Sequence, residues 1–377
     1  MPGYELINNK ERIAVNKLFK EEGGILFAHG FEKLRKKFHV REFEKQCAKY
    51  FVAKKCLAVS SGTAAIKIAL KALGVKAGDE VITQAFNFIA TIEAILDIGA
   101  KPVIVNVDKT LNMDPVELEK SITKKTKVVI PVHMLGFSCE MQKIVNICKR
   151  KKVKILEDNC ESVGGKYKKT FLGVLGDAGV FSFDHGKILT TGEGGLIATN
   201  NKKIDKYARE YHDHGHENNL KQSRGNDTRN IYGFNYRMTE IQGVIGKIQL
   251  KKLKYILKKN RERYNSMFKT LKDKFEIRNL PKNSTPNYDT FIFFINNKKD
   301  KKNILKKIKK NNFGTKNLPD ALKWHCSAYW NHALPPKEVK KSLKTKKLLN
   351  SAIAVPINLK RTVKDYKRLA TSILSIN

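Results

Sequence analysis

Between residues 56 and 200 the chain alternates short aliphatic and β-branched runs with longer stretches whose apolar positions recur every three or four residues. The runs CLAVS (56–60), EVIT (80–83), PVIVNV (102–107), KVVIPVH (127–133), KVKILED (152–158), GVFSF (179–183) and GLIATN (195–200) read as about seven strands. Between the first two, Ile66, Ala69, Leu70 and Leu73 share one helical face and Gly74 supplies a stop. Strands alternating with amphipathic helices predict the α/β class: a mostly parallel, seven-stranded sheet covered by helices on both faces.

Past residue 200 the pattern changes. The stretch YHDHGHENNLKQSRGNDTRNIYGFNYRM (211–238) is polar and too long for a simple connector, which marks it as a functional loop. A long basic helix is predicted from Thr239 to Lys274, with Ile241, Ile245, Ile248, Leu250 and Leu253 as its apolar stripe, and it bridges two domains. The run FIFFI (291–295), a Lys-rich helix near 302–311 and LKWHCSAYW (322–330) are enough for a smaller α+β domain. The expected division is therefore 1–250 for the large domain and 251–377 for the small one.

Composition narrows the class. No apolar run is long enough to span a bilayer. The opening MPGYELINNKERIAV lacks the build of a secretory signal, so a cytoplasmic protein is expected. The 6 cysteines, Cys47, Cys56, Cys139, Cys148, Cys160 and Cys326, fall in no CxxC or Cys/His spacing, so reduced thiols and no metal site are expected. The formal net charge is +38, which invites a nucleic-acid reading, but the lysines lie in pairs along the whole chain without an aromatic-interleaved patch. A solvated basic surface, with no nucleic-acid and no membrane partner, is the reading favoured.

Against that surface, Lys187 in FSFDHGKILTTGEGG (181–195) stands out, set among Phe, Ser, Thr and Gly. It follows a strand and precedes a glycine-rich turn, the strand-end position where open α/β sheets build their sites. A desolvated, cation-rich setting there lowers a lysine toward the neutral amine that attacks carbonyls. Asp158 ends an earlier strand on the same rim, and a buried carboxylate needs a cationic partner such as a protonated pyridine nitrogen. In SSGTAAIKIAL, Ser61, Gly62 and Thr63 turn a strand into a helix start, which suits a phosphate; Ser182 offers a further hydroxyl, and Phe88 a flat ring for stacking. Each piece alone has an ordinary reading, as an N-cap, a turn aspartate or a core phenylalanine. Taken in order along one α/β unit they describe a pyridoxal 5'-phosphate site.

The same segments resemble the DegT-type sugar aminotransferases of the fold type I pyridoxal-phosphate class. The likeness runs through residues 1–250, by VSSGTAAIKIALKALGVKAGDEVIT, NFIATIEAILDIGAKPVIVNVD, ILEDNCESVGGKY, FSFDHGKILTTGEGGLIATN and GFNYRMTEIQGVIG, with FSFxxxKxLTTGEGG the most diagnostic. The resemblance implies a Schiff base on Lys187, Asp158 on the pyridine nitrogen, Phe88 on the ring, and Gly62, Thr63, Ala64 and Ser182 on the phosphate. It implies that Asn235 of the GxNxR motif reaches the phosphate of a second subunit, so that a homodimer shares its active sites. L-glutamate and a keto-sugar are the implied substrates. One position departs: Glu161 stands where the family usually has Gln or His near the ring hydroxyl, and a protonated carboxyl, a water bridge or a rotated side chain is expected there.

MPGYEL, ILFAHGF, HDHGHENN and NLPDALKWH further resemble enzymes that form an 8-amino-octulosonate for lipopolysaccharide. The histidines of HDHGH are read as part of a substrate loop in preference to a metal site. ILFAHGFEKLRKKFHV (25–40) and LKWHCSAYW are read as specificity loops. Two other readings compete with amino transfer. A sugar dehydratase of the same fold carries histidine in place of the lysine, and His185 lies two residues from Lys187; a basic nucleic-acid-binding or regulatory protein on the same scaffold is the other.

Overall fold

The computed structural model describes residues 4–219 and 222–375; Met1–Gly3 of the MPGYEL segment, and Leu220 and Lys221 of the polar loop, lie outside the described residues. All seven predicted strands form: β1 (Lys55–Val59), β2 (Glu80–Gln84), β3 (Lys101–Val105), β4 (Thr126–Ile130), β5 (Lys154–Asp158), β6 (Ala178–Ser182) and β7 (Gly195–Thr199). They make one sheet in the order β1-β7-β6-β5-β4-β2-β3. The neighbours from β3 through β6 pair in parallel, whereas β7 runs antiparallel to both β6 and β1. Helices cover both faces, which is why the strands are almost continuously buried instead of alternating.

Helix α1 (Gly62–Ala72) leaves β1 through Ser61, whose Oγ accepts from Ala64 N at 3.1 Å. The predicted stop is real: Gly74 has φ 82, a left-handed value at the end of the helix. Helix α2 (Ala90–Asp97) follows β2 in the same way. Both helices therefore start at the rim formed by the carboxyl ends of the parallel strands, and that rim holds the site.

The long helix is α3 (Glu240–Leu271), begun by Thr239, whose N–H bonds Gln242 Oε1 at 2.8 Å. Its buried stripe differs from the expected one. Ile241, Ile245 and Ile248 are half-buried, and Gly243, Val244, Gly246, Gln249, Leu250, Leu253 and Ile256 face inward. The reason is close approach by the helix His39–Phe51. A Cβ on Gly243 would stand 2.6 Å from Val40 N, and one on Gly246 would stand 2.8 Å from the Phe43 ring. Glycine, not isoleucine, sets this register. Gly243→Ala is expected to destabilise the protein: overpacking against backbone costs about 1–3 kcal/mol, which outweighs the ~1 kcal/mol alanine gains in helix propensity. A lower denaturation midpoint with unchanged slope is the expected result, and an unchanged or higher midpoint would refute the packing argument.

Residue 250 falls inside α3, which continues without a break toward a second, antiparallel sheet of β8 (Glu276–Ile277), β9 (Thr290–Phe294) and β10 (Ala352–Pro356). Helices α4 (Lys298–Lys310) and α5 (Val363–Leu374) pack there, so the apolar run and the Lys-rich segment become the strand and helix the sequence predicts. Among the described residues no helix is long and apolar enough to cross a membrane. All 6 cysteines are free thiols.

Candidate active site

A cavity of about 500 Å³ opens at the carboxyl rim of the sheet. Gly62, Thr63, Phe88, Asp158, Glu161, Ser182 and Lys187, drawn from separate strands and turns, all line it. Two predicted residues do not. Ala64 lies one residue further into α1, with its N–H committed to Ser61 Oγ. Asn235 is exposed on the 211–238 segment, bridged to Asp213 and outside the lining of this cavity.

Lys187 follows the turn after β6, with its N–H bonded to Asp184 O at 3.0 Å. Its Nζ lies 3.6 Å from Glu161 Oε1. The expected lowering of this lysine is not found. Burial does push it down, but Glu161, Cys160, Asp184 and Asp158 outweigh burial and raise it above the ordinary lysine value. The setting is rich in carboxylates, not cations. Burial likewise pushes Glu161 up, yet Lys187, Lys316 and His325 together bring it down to about 2. In this structure Glu161 is therefore an ionised partner of Lys187, and not a protonated carboxyl.

Asp158 is 3% exposed at the end of β5. Thr91 Oγ1 donates to its Oδ2 at 3.1 Å and Cys160 N to its Oδ1 at 3.1 Å, and burial raises it above the usual carboxylate range. Among the described residues it forms no ion pair. A buried carboxylate that lines a cavity and lacks a cation fits a protonated ring nitrogen in that cavity.

The phosphate end is shaped by sterics. A Cβ on Gly62 would stand 2.9 Å from Ser182 Cβ, so only glycine lets the start of α1 and the end of β6 meet. That leaves the Gly62 and Thr63 end of the helix and the Ser182 hydroxyl on one wall, as an anion site requires. Phe88 is 46% exposed and tilts over His325 with centroids 5.4 Å apart, so it is a cavity wall and not core. The cavity thus has a carboxylate, an amine, a helix start and an aromatic face, the donor set that pyridoxal phosphate fits.

Sequence reasoning missed Thr91, Cys160, Lys316 and His325, all of which also line the cavity. LKWHCSAYW marked the neighbourhood of His325, but no signal pointed to Lys316, which is 8% exposed and paired with Asp289 at 2.8 Å. Arg278 was also missed. It is 2% exposed, donates to Thr110 O at 2.6 Å and Met134 O at 2.9 Å, and lies over Phe137. Burial lowers it to about 9. It ties β8 to the turn beside Glu161.

Of the two segments read as specificity loops, LKWHCSAYW brings His325 into the cavity, whereas ILFAHGFEKLRKKFHV meets the polar 211–238 loop outside its lining. His29 and His212 face each other at 3.4 Å, while Asp213 is held by Arg224 and Arg237. The histidines of HDHGH diverge: His212 turns to His29, and His216 lies 3.4 Å from Asp227. His185 is exposed and stacked on Tyr4 at 4.9 Å, away from the cavity lining.

Comparison with known proteins agrees with this geometry. The sequence profile of the DegT/DnrJ/EryC1/StrS aminotransferase family matches residues 31–374. A GDP-perosamine synthase of Caulobacter vibrioides is 40% identical over 218 residues, 56% of this chain and 56% of that protein. A second, from Escherichia coli O157:H7, is 37% identical over 59% of this chain and 60% of that protein, so the chain spans little more than half the length of these curated relatives. An aminotransferase structure from Psychrobacter cryohalolentis superposes with TM-score 0.84 at 25% identity, covering 98% of this chain and 96% of that one. The fold is that of the fold type I aminotransferases.

Proposed function

Because the chain belongs to the DegT/DnrJ/EryC1/StrS aminotransferase family, we propose that it is a pyridoxal-phosphate-dependent sugar aminotransferase. It moves an amino group from L-glutamate to a keto or aldehyde group of a sugar, of the nucleotide-linked keto-sugar or 8-oxo-octulosonate type, for cell-surface polysaccharide or lipopolysaccharide synthesis. The observation that carries the reading is the convergence of Lys187, Asp158 and the Gly62–Ser182 contact on one cavity.

Pyridoxal phosphate, when bound, supplies an aldehyde that takes up nitrogen and a ring that accepts electrons. Lys187 would hold it covalently and, as a free amine, would carry the substrate's Cα proton. Asp158 would keep the ring nitrogen protonated. The first turn of α1 with Ser182 takes the phosphate, Phe88 covers a ring face, and Glu161 sets the charge beside Lys187. Glutamate as donor is supported by a dehydratase of this fold, 23% identical with TM-score 0.80 over 98% of both chains, which was solved with PLP and glutamate trapped together. Active sites shared across a homodimer are supported by Asn235, exposed and outside its own chain's cavity.

The place of His185 favours amino transfer over sugar dehydration, because it is Lys187 and not the exposed His185 that faces the cavity. His185→Ala is expected to keep kcat/KM within about twofold of wild type, since a group that meets no reacting atom removes no transition-state stabilisation. Product analysis with labelled glutamate is expected to find the label on the sugar. Loss of a sugar hydroxyl without net transfer of nitrogen would reject the proposal.

A further inference from the structure

Glu161 is anchored more firmly than a turn residue needs to be. Its backbone oxygen accepts from Asn287 Nδ2 at 3.1 Å, and its Oε2 accepts from Leu135 N at 3.0 Å. Leu135 has φ 51 and ψ 44, a left-handed conformation that leucine keeps only where its surroundings impose it. Those surroundings come from the C-terminal half of the chain. A Cβ on Gly136 would stand 2.1 Å from Asn287 Oδ1, and Arg278 holds Met134 O. The turn is thus clamped in the one shape that points the Leu135 amide at Glu161. With Oε2 so occupied, Oε1 faces Lys187 Nζ at 3.6 Å.

The other charged or titratable groups around the pair are accounted for. Asp158, Cys160 and Asp184 face Lys187, while Lys316 and His325 face Glu161. Lys316 is committed to Asp289, Asp158 to Thr91 and the Cys160 amide, and His325 Nδ1 lies 2.8 Å from Ala321 O. Among the described residues Glu161 is the carboxylate within ion-pair distance of Lys187.

We infer that Glu161 is the proton partner of Lys187: it holds the nitrogen as an ammonium in the free protein and keeps the proton when that nitrogen bonds to a carbonyl carbon. The balance is internal to the pair. One N–H proton passes to Oε1, so ammonium and carboxylate become neutral amine and carboxylic acid. The amine's electron pair forms the new C–N bond, and the carbonyl oxygen leaves as water with the amine's two remaining protons. No proton goes to solvent. The pairing holds without any cofactor; only the second half of the inference rests on the function proposed above.

Competitive acetylation of the cofactor-free protein across pH, with the Lys187 peptide read by mass spectrometry, reports the nitrogen's protonation directly. Glu161→Gln keeps the acceptor for Leu135 N and removes the charge. The labelling midpoint is expected to fall by about one pH unit or more, the usual effect of one adjacent opposite charge, which is about tenfold more labelling at a pH below both midpoints. Glu161→Asp keeps the charge and is expected to stay nearer the wild-type midpoint. Equal midpoints in wild type and Glu161→Gln would overturn the pairing. Proton release on adding pyridoxal phosphate, measured one unit below the variant's midpoint in buffers of different ionisation enthalpy, is expected to be larger in Glu161→Gln by up to about one proton per chain. Equal release would overturn the retention step. A labelling shift with no capture of pyridoxal phosphate would keep the pair and overturn the retention step together with the cofactor assignment.

Discussion

Lys187→Ala is expected to abolish amino transfer and leave the fold standing. Among the described residues the side chain makes a single ion pair, 3.6 Å to Glu161, and the bond from its backbone N–H to Asp184 O survives truncation. Glu161 keeps Leu135 N as a donor and Lys316 as nearby charge, so the variant does not strand a bare carboxylate. Chemistry suffers far more. A positioned general base contributes about 10²–10⁴-fold, and on the proposed function this lysine would also be the covalent anchor of the cofactor. Single-turnover conversion with L-glutamate is expected to fall by at least that factor, with circular dichroism and the melting curve little changed. A rate within about tenfold of wild type, a change of only ~1.4 kcal/mol in the barrier, would remove Lys187 from the mechanism.

Asp158→Asn is the second large effect, and it separates function from stability. Asparagine can still accept from the Cys160 amide, but it cannot offer a negative charge to a protonated ring nitrogen. Turnover is expected to fall by about 10²–10³-fold, the scale on which loss of one preorganised electrostatic partner is felt. Stability of the cofactor-free protein should move the other way. Asp158 ionises near its ordinary 3.8 in the unfolded chain and at higher pH when buried. Across that window the folded protein binds more protons than the unfolded one, so wild-type stability falls as pH rises. The variant lacks this slope and is expected to gain on wild type between acid and neutral pH. Thermal melts at the two pH values check the sign, and a variant that loses stability relative to wild type over that range would contradict the burial argument. Adding pyridoxal phosphate should reverse the order, because only wild type has the charge to hold its ring nitrogen.

The seven strands were legible because each is a short aliphatic and β-branched run set between helical patterns, and their one-dimensional order is enough to place Asp158 and Lys187 on the same rim. The Gly62 turn could be read for a related reason: a strand, a small-residue turn and a helix start are local in sequence. What could not be read was long-range. The helix stripe was misplaced at Ile241, Ile245 and Ile248 because periodicity does not reveal that Val40 and Phe43 press against Gly243 and Gly246. Lys316 and His325 reach the cavity from a segment more than a hundred residues away; LKWHCSAYW marked the surroundings of His325, but nothing near Lys316 announced it. The charge state of Lys187 was misjudged because the desolvated, cation-rich setting expected at the strand end proved carboxylate-rich in space. Asn235 was singled out by its motif and lies outside the lining of its own chain's cavity.

On the proposed function, Lys187 carries a pyridoxal cofactor that takes nitrogen from an amino donor. One absorbance experiment reaches it most directly: the purified protein with pyridoxal phosphate, before and after L-glutamate, alongside Lys187→Ala. A lysine-linked band is expected in the wild type, giving way to the pyridoxamine form on adding glutamate, with no such band in the variant. A wild-type spectrum that matches free pyridoxal phosphate and does not change with glutamate would contradict it.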